Sequence, residues 1–173
     1  MSTFATITQF GRMLANADRW LELAIEHAGK KGFDPEILTH ARLAPDQYAL
    51  PQQIQSACDA AKFAAAYLSG GQAPSHPDTE KTLAELRARI AKCREYLASF
   101  KEADFAEAEQ RRVSPPWMQG NSVRGDRYLT RIAVPNFYFH VTTTYAILRH
   151  NGVELGKRDY IGAHGFEELD SEA

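Results

Sequence analysis

Phe4, Ile7, Phe10, Leu14, Ala17, Leu21, Ala24 and Ala28 recur in alternating steps of three and four. That spacing keeps one apolar face along a long amphipathic helix, which must bury its stripe against other elements. Gly29-Lys30-Lys31-Gly32 supplies the stop, with basic charge near the negative helix end and glycine able to take a positive φ. A second helix is expected over the stripe Leu50, Ile54, Ala57, Cys58, Ala61, Ala64, Ala65 and Leu68, with Pro51 in its first turn and Gly70-Gly71 at its end. Its alanines allow close helix approach. A third is expected to open at Thr79-Glu80 and to bury Leu83, Leu86, Ile90, Cys93, Leu97 and Phe100, with Arg87, Arg89, Lys92 and Arg94 on its wet side. Residues 33–49, with Pro35 and Pro45, are long for a bundle connection and are expected to carry a short helix or cover a site.

The pattern breaks over residues 101–126, where Pro115-Pro116, Trp117, Gly120-Asn121 and Gly125 punctuate the chain. Arg112-Val113 and Ser122-Val123 are expected to pair as a short hairpin. Helical pattern resumes at Asp126 and runs to Asn151-Gly152, with Pro135 expected to kink or divide it. Four principal helices predict an all-α four-helix bundle. With 173 residues and 44% hydrophobic content, the chain can bury one good core. A single domain over residues 1–166 is therefore expected, followed by a frayed acidic tail over 167–173.

A formal net charge of -2, from 20 basic and 22 acidic residues, argues against nucleic acid or an anionic membrane as partner. The arginines at 111, 112, 124, 127 and 131 are read as a solvated loop. No run of apolar residues is long enough for a membrane span and no secretory leader is apparent, so a cytoplasmic protein is expected. Cys58 and Cys93 fall on apolar stripes, which predicts reduced, buried thiols.

The last helix holds the candidate chemistry. Within Asn136-Phe-Tyr-Phe-His-Val-Thr-Thr-Thr-Tyr-Ala-Ile-Leu-Arg-His-Asn-Gly-Val153, His140 shares a face with Asn136, Thr143 or Thr144, and Ile147. Such a platform suits a metal ligand in a bundle, yet Asn136 stands where a second histidine would strengthen the case. The plainer reading is a core histidine bonded through both ring nitrogens to Asn136, Tyr138 or a glutamine of the second helix. General acid–base catalysis by His140 is the third. Gln52, Gln53 and Glu80 read as first-turn surface residues. His27, His40, His76 and His164 have no ligand spacing to one another, and His150 is assigned to the helix end.

The run from Pro135 to Gly162 closely resembles the C-terminal signature of a bacterial domain-of-unknown-function family, the one numbered nineteen ninety-three. Leu50-Pro51-Gln52-Gln53-Ile54 and the run Glu80–Ile90 are similar to its second- and third-helix motifs, so the resemblance spans residues 6–162. It implies the fold of the DinB/YfiT-like helical bundles, many of them metalloenzymes with one histidine on helix 2 and an H-x-x-x-H pair on the last helix, and some thiol-dependent transferases. On that template His140 matches the second histidine of the pair, Asn136 the first, and Gln53 the helix 2 ligand. The expectation is a polar pocket around His140, Asn136, Gln53, Tyr138 and Thr144, with Tyr145 as a further wall, at a degenerate metal site. No cofactor is expected, a zinc or nickel ion held by His140 being the alternative. The competing functions are a metal- or thiol-dependent transferase and a non-catalytic homodimer joined through Trp20, Trp117 and Phe137.

Overall fold

A computed structural model describes residues 2–162; the predicted tail, the domain limit at residue 166 and His164 lie outside them. Helix α1 spans Thr3–Lys31, α2 Leu50–Ser69 and α3 Leu83–Ala98. The last long helix is assembled from α4 (Gly125–Tyr128), a π-helical segment Leu129–Ala133 and α5 (Val134–His150), and a short α6 follows at Lys157–Ile161. Among the described residues no helix is long and apolar enough to cross a membrane.

Ring contacts give the helix directions. Phe10 of α1 stacks on Phe137 of α5 at 4.1 Å, while His27 and Gly152 meet at the opposite ends of the same pair, so α1 and α5 are parallel. Gln53 lies beside His140 and Tyr67 beside Tyr128, which makes α2 antiparallel to the last helix. Arg87 pairs with Asp18 and Glu22 of α1, while Phe4, Phe105, Phe100 and Tyr96 form a chain of rings at the other end, so α3 is antiparallel to α1. The order is up-down-down-up, with α2 packed on α3 and α5, and α1 on α3 and α5.

Parallel α2 and α3 need a connection that returns the length of a helix. Residues 70–82 provide it as an extended strap, whose reach of roughly 40 Å exceeds the roughly 24 Å of α3. Gly70 starts it at φ 79°, a left-handed turn that donates its N–H to Ala66 O. Helix α3 begins at Leu83, later than the expected Thr79-Glu80. Thr82 caps it, accepting from Glu85 N while Glu85 accepts from Thr82 N, and Glu36 of the 3-10 turn Pro35–His40 accepts from Leu83 N. That 3-10 turn is the short helix foreseen in residues 33–49.

The hairpin forms between β1 (Arg112–Val113) and β2 (Val123–Arg124), its second strand one residue later than the expected Ser122-Val123, with Val113 opposite Val123 and Arg112 opposite Arg124. Behind it, a Cβ on Gly125 would lie 1.8 Å from Ala108 O, so only glycine lets the last helix start there. Pro135 is absorbed rather than allowed to break the helix. Val134 N–H reaches back five residues to Leu129 O, and the wider π turn seats the donorless proline in the first turn of α5. Helix α6, which the sequence pattern left undetected, is tied to α1 by Asn16 Nδ2 to Tyr160 O (3.0 Å) and Trp20 Nε1 to Asp159 O (2.9 Å).

Candidate functional site

Helix α2 and the last helix diverge around an open cleft of about 1170 Å³. Its α2 wall is Gln52, Gln55, Ser56, Asp59, Phe63 and Tyr67, and its opposite wall includes Tyr128, Arg131, Pro135, Asn136 and His140. Tyr48 and Trp117, 55% and 62% exposed, stand at its margins, and Asp78 of the strap reaches it as well.

His140 is 9% exposed and meets Gln53, which is fully buried, at Nδ1–Oε1 2.7 Å. The tautomer follows from the next bond. Gln53 Nε2 donates to the backbone carbonyl of Tyr48 at 3.1 Å, and a carbonyl can only accept, so Gln53 must turn Oε1 toward the imidazole. Nδ1 therefore carries the proton. Among the described residues Nε2 has no hydrogen-bond partner, and the ring forms part of the cleft wall. Burial lowers the His140 pKa below the ordinary histidine value, which favours the neutral ring and an Nε2 lone pair.

The expected pocket residues divide. His140 and Gln53 are brought into contact, and Asn136 lines the cleft as an exposed side chain. Thr144 is buried, its hydroxyl spent on His140 O at 2.9 Å. Tyr138 turns toward α1, edge-on to Phe10, and Tyr145 lies against Trp20 and Tyr160; neither is among the cleft residues. Of the plainer expectation, the bond to a glutamine of the second helix is found at Nδ1, and among the described residues Nε2 has no partner. Gln53 is no surface residue either; it shares the buried face with Leu50 and Ala57, while Gln52 turns out and accepts from Ala49 N.

A second polar cluster lies where α2, α3 and the strap meet. Arg89, placed by its basic neighbours on the wet side of α3, is instead buried. Its Nη2 donates to Asp59 Oδ1 (2.7 Å) and Asp78 Oδ1 (3.2 Å), and its Nη1 to Glu80 Oε1 (3.2 Å) and the carbonyls of His76 and Pro77. Glu80, read as a first-turn charge, precedes the helix and also accepts from Gln55 Nε2 at 2.9 Å. Burial raises the Glu80 pKa, but Gln55, its own backbone and Arg89 outweigh it and hold the group below the ordinary carboxylate value. Buried Lys62 completes the cluster, 2.8 Å from Asp59 Oδ1 and over the Phe63 ring. Asp59, Asp78, Tyr67 and Tyr128 were not singled out from sequence. A signal existed, since Asp59, Phe63 and Tyr67 recur every fourth residue beside the apolar stripe of α2.

Cys58 and Cys93 are buried free thiols, with Cys93 Sγ donating to Cys58 O at 3.3 Å. The neighbouring Cys93 thiol and burial both push the Cys58 pKa up, so neither geometry nor charge prepares a thiolate nucleophile.

Comparison with known proteins agrees with this architecture. No curated protein matches the chain. A solved structure described as a DinB family member from Shewanella denitrificans is similar at 48% identity and a TM-score of 0.87, covering 91% of this chain and 89% of that one. The model of a domain of unknown function, DUF1993, matches residues 4–161. The chain therefore belongs to the DUF1993 family and has the fold of a DinB-like helical bundle.

Proposed function

We propose that this protein binds a small organic molecule in the cleft between α2 and the last helix, through the neutral imidazole of His140. The observation that carries this reading is the Nδ1–Gln53 contact at 2.7 Å, which leaves Nε2 as a bare acceptor on the cleft wall. A ligand O–H, N–H or S–H can donate to it, and a sufficiently acidic one can lose its proton there.

The residues do not fit the metal site of the related bundles. Three zinc or nickel ligands would have to come from His140, Asn136 and Gln53, yet Gln53 Oε1 already accepts the His140 proton and Nε2 is committed to Tyr48 O. An asparagine amide is a weak donor for either ion, and among the described residues no group of three His, Cys, Asp or Glu side chains is placed to hold a metal ion. The test is metal analysis of untagged protein after incubation with zinc or nickel. Binding well below one ion per chain is expected; one ion per chain lost on His140→Ala would overturn the metal-free reading.

Self-association is a second reading, favoured by Trp117 and Phe139, 62% and 54% exposed. Trp20 and Phe137, expected to share in such a patch, are fully buried and cannot. A dimer by light scattering at high micromolar concentration would support association; a monomer would end it.

A further inference from the structure

The cleft changes character along α2. At one end Phe63 stacks on Tyr67 (centroids 5.6 Å apart, planes at 12°) and Tyr67 meets Tyr128 edge-on (5.8 Å, 75°), a wall of three rings. Toward the other end, before His140, stand Asp59 and Asp78. Each has one carboxylate oxygen bound to buried Arg89, and Asp59 Oδ1 holds Lys62 as well. Among the described residues Oδ2 of each makes no hydrogen bond, although both carboxylates are ion-paired through Oδ1.

Facing these carboxylates, the last helix from Ala133 to Phe139 carries no charged side chain. His140, nine-tenths buried, adds its unpartnered Nε2 to the same cleft. Asp59 Oδ2, Asp78 Oδ2 and His140 Nε2 all accept hydrogen bonds, beside Ser56 and Asn136, which can accept or donate. They call for a donor-rich head. Arg131 belongs to the π segment after Tyr128, at the ring end, where it disfavours a second positive charge.

We propose that the ligand class is an arylalkylamine, with its ammonium at Asp59 and Asp78 and its ring against Phe63, Tyr67 and Tyr128. Asp59 and Phe63 are four residues apart on one helix face, a separation of roughly 6 Å that a two- or three-carbon linker spans. Ring faces near the ammonium add cation–π attraction. The inference rests on the reading of the cleft as a ligand site.

Calorimetric titration with 2-phenylethylamine, its near-isosteric anion 3-phenylpropionate, and ethylamine tests it. The aryl amine should bind roughly tenfold tighter than the anion, with ethylamine weaker still. Asp78→Asn, at a side chain 54% exposed, should weaken the amine severalfold and spare the anion, and Phe63→Leu should weaken both aryl compounds while thermal melts show both variants folded. Equal or tighter binding of the anion, equal binding of ethylamine, or indifference to Asp78→Asn overturns the assignment. A fragment set read by His140 NMR signals separates the two failures. Fragments that perturb His140 without preference for amines overturn this assignment alone, whereas a set that perturbs nothing overturns the cleft reading with it.

Discussion

Helix α2 has a sealed side and an open side. Toward α3 it closes on Cys93 and on Arg89, whose guanidinium is paired with three carboxylates and two carbonyls. Toward the last helix it opens into the cleft, where His140 has a bond at one nitrogen and none at the other. Both regions bury polar groups. In the first the bonds join three chain segments, so the cluster holds parallel α2 and α3 to their strap; in the second they orient a single ring that lines the cleft. A buried polar group whose bonds are nearly all used is part of the scaffold, and one held by half its bonds is available to a ligand.

The contrast is broken most severely at Arg89. Arg89→Met leaves Glu80 without its buried counter-charge and Asp59 with Lys62 alone, and should cost about 3 kcal/mol, discounted because Asp78 is half exposed. Urea unfolding measures it, and a loss no larger than that of a surface arginine would show that the cluster is not scaffold. Gln53→Leu removes the acceptor of the His140 proton and the donor to Tyr48 O, and should cost about 2 kcal/mol in the same assay. It should also release the ring, so that both tautomers become visible by NMR.

Acid provides a milder test. The His140 pKa is lowered by burial, and that of His76 is lowered by burial and then by Lys62 and Arg89. The unfolded chain, with ordinary histidines near pH 6.5, then binds more protons than the folded one as pH falls below about 6.5. Stability should be fully present above that pH and decline as pH drops through the lowered folded values, and His140→Gln should flatten the decline. Stability that rises on acidification over this window would contradict both environments. The smallest effect belongs to Asn136→Ala, which should leave stability within about 0.5 kcal/mol because the side chain is exposed, while altering ligand affinity.

Much of the scaffold was legible because local chemistry and burial agree there. The α1 stripe, Pro51, the stops at Gly32, Gly70 and Gly152, and the hairpin all follow from periodicity or turn chemistry. Pro135 announced a discontinuity, although its form as a π segment depends on how Val134 reaches Leu129. Arg89 was misread because Arg87, Lys92 and Arg94 make its neighbourhood look wet, while the carboxylates that bury it come from α2 and the strap. Gln53 was readable in principle from its spacing to Leu50 and Ala57, but its pairing with His140 spans 87 residues of sequence. Helix α6 had a local mark in Asp159 accepting from Gly156 N, yet its place depends on Trp20 and Asn16. Nothing local reveals which histidine nitrogen stays open.

That open nitrogen is the centre of the account, and nitrogen-15 NMR of the His140 ring measures it directly. The predicted result is a proton on Nδ1, an unprotonated Nε2 at neutral pH, and a titration midpoint below the ordinary histidine value of about 6.5. A proton on Nε2, or a midpoint above that value, would contradict it.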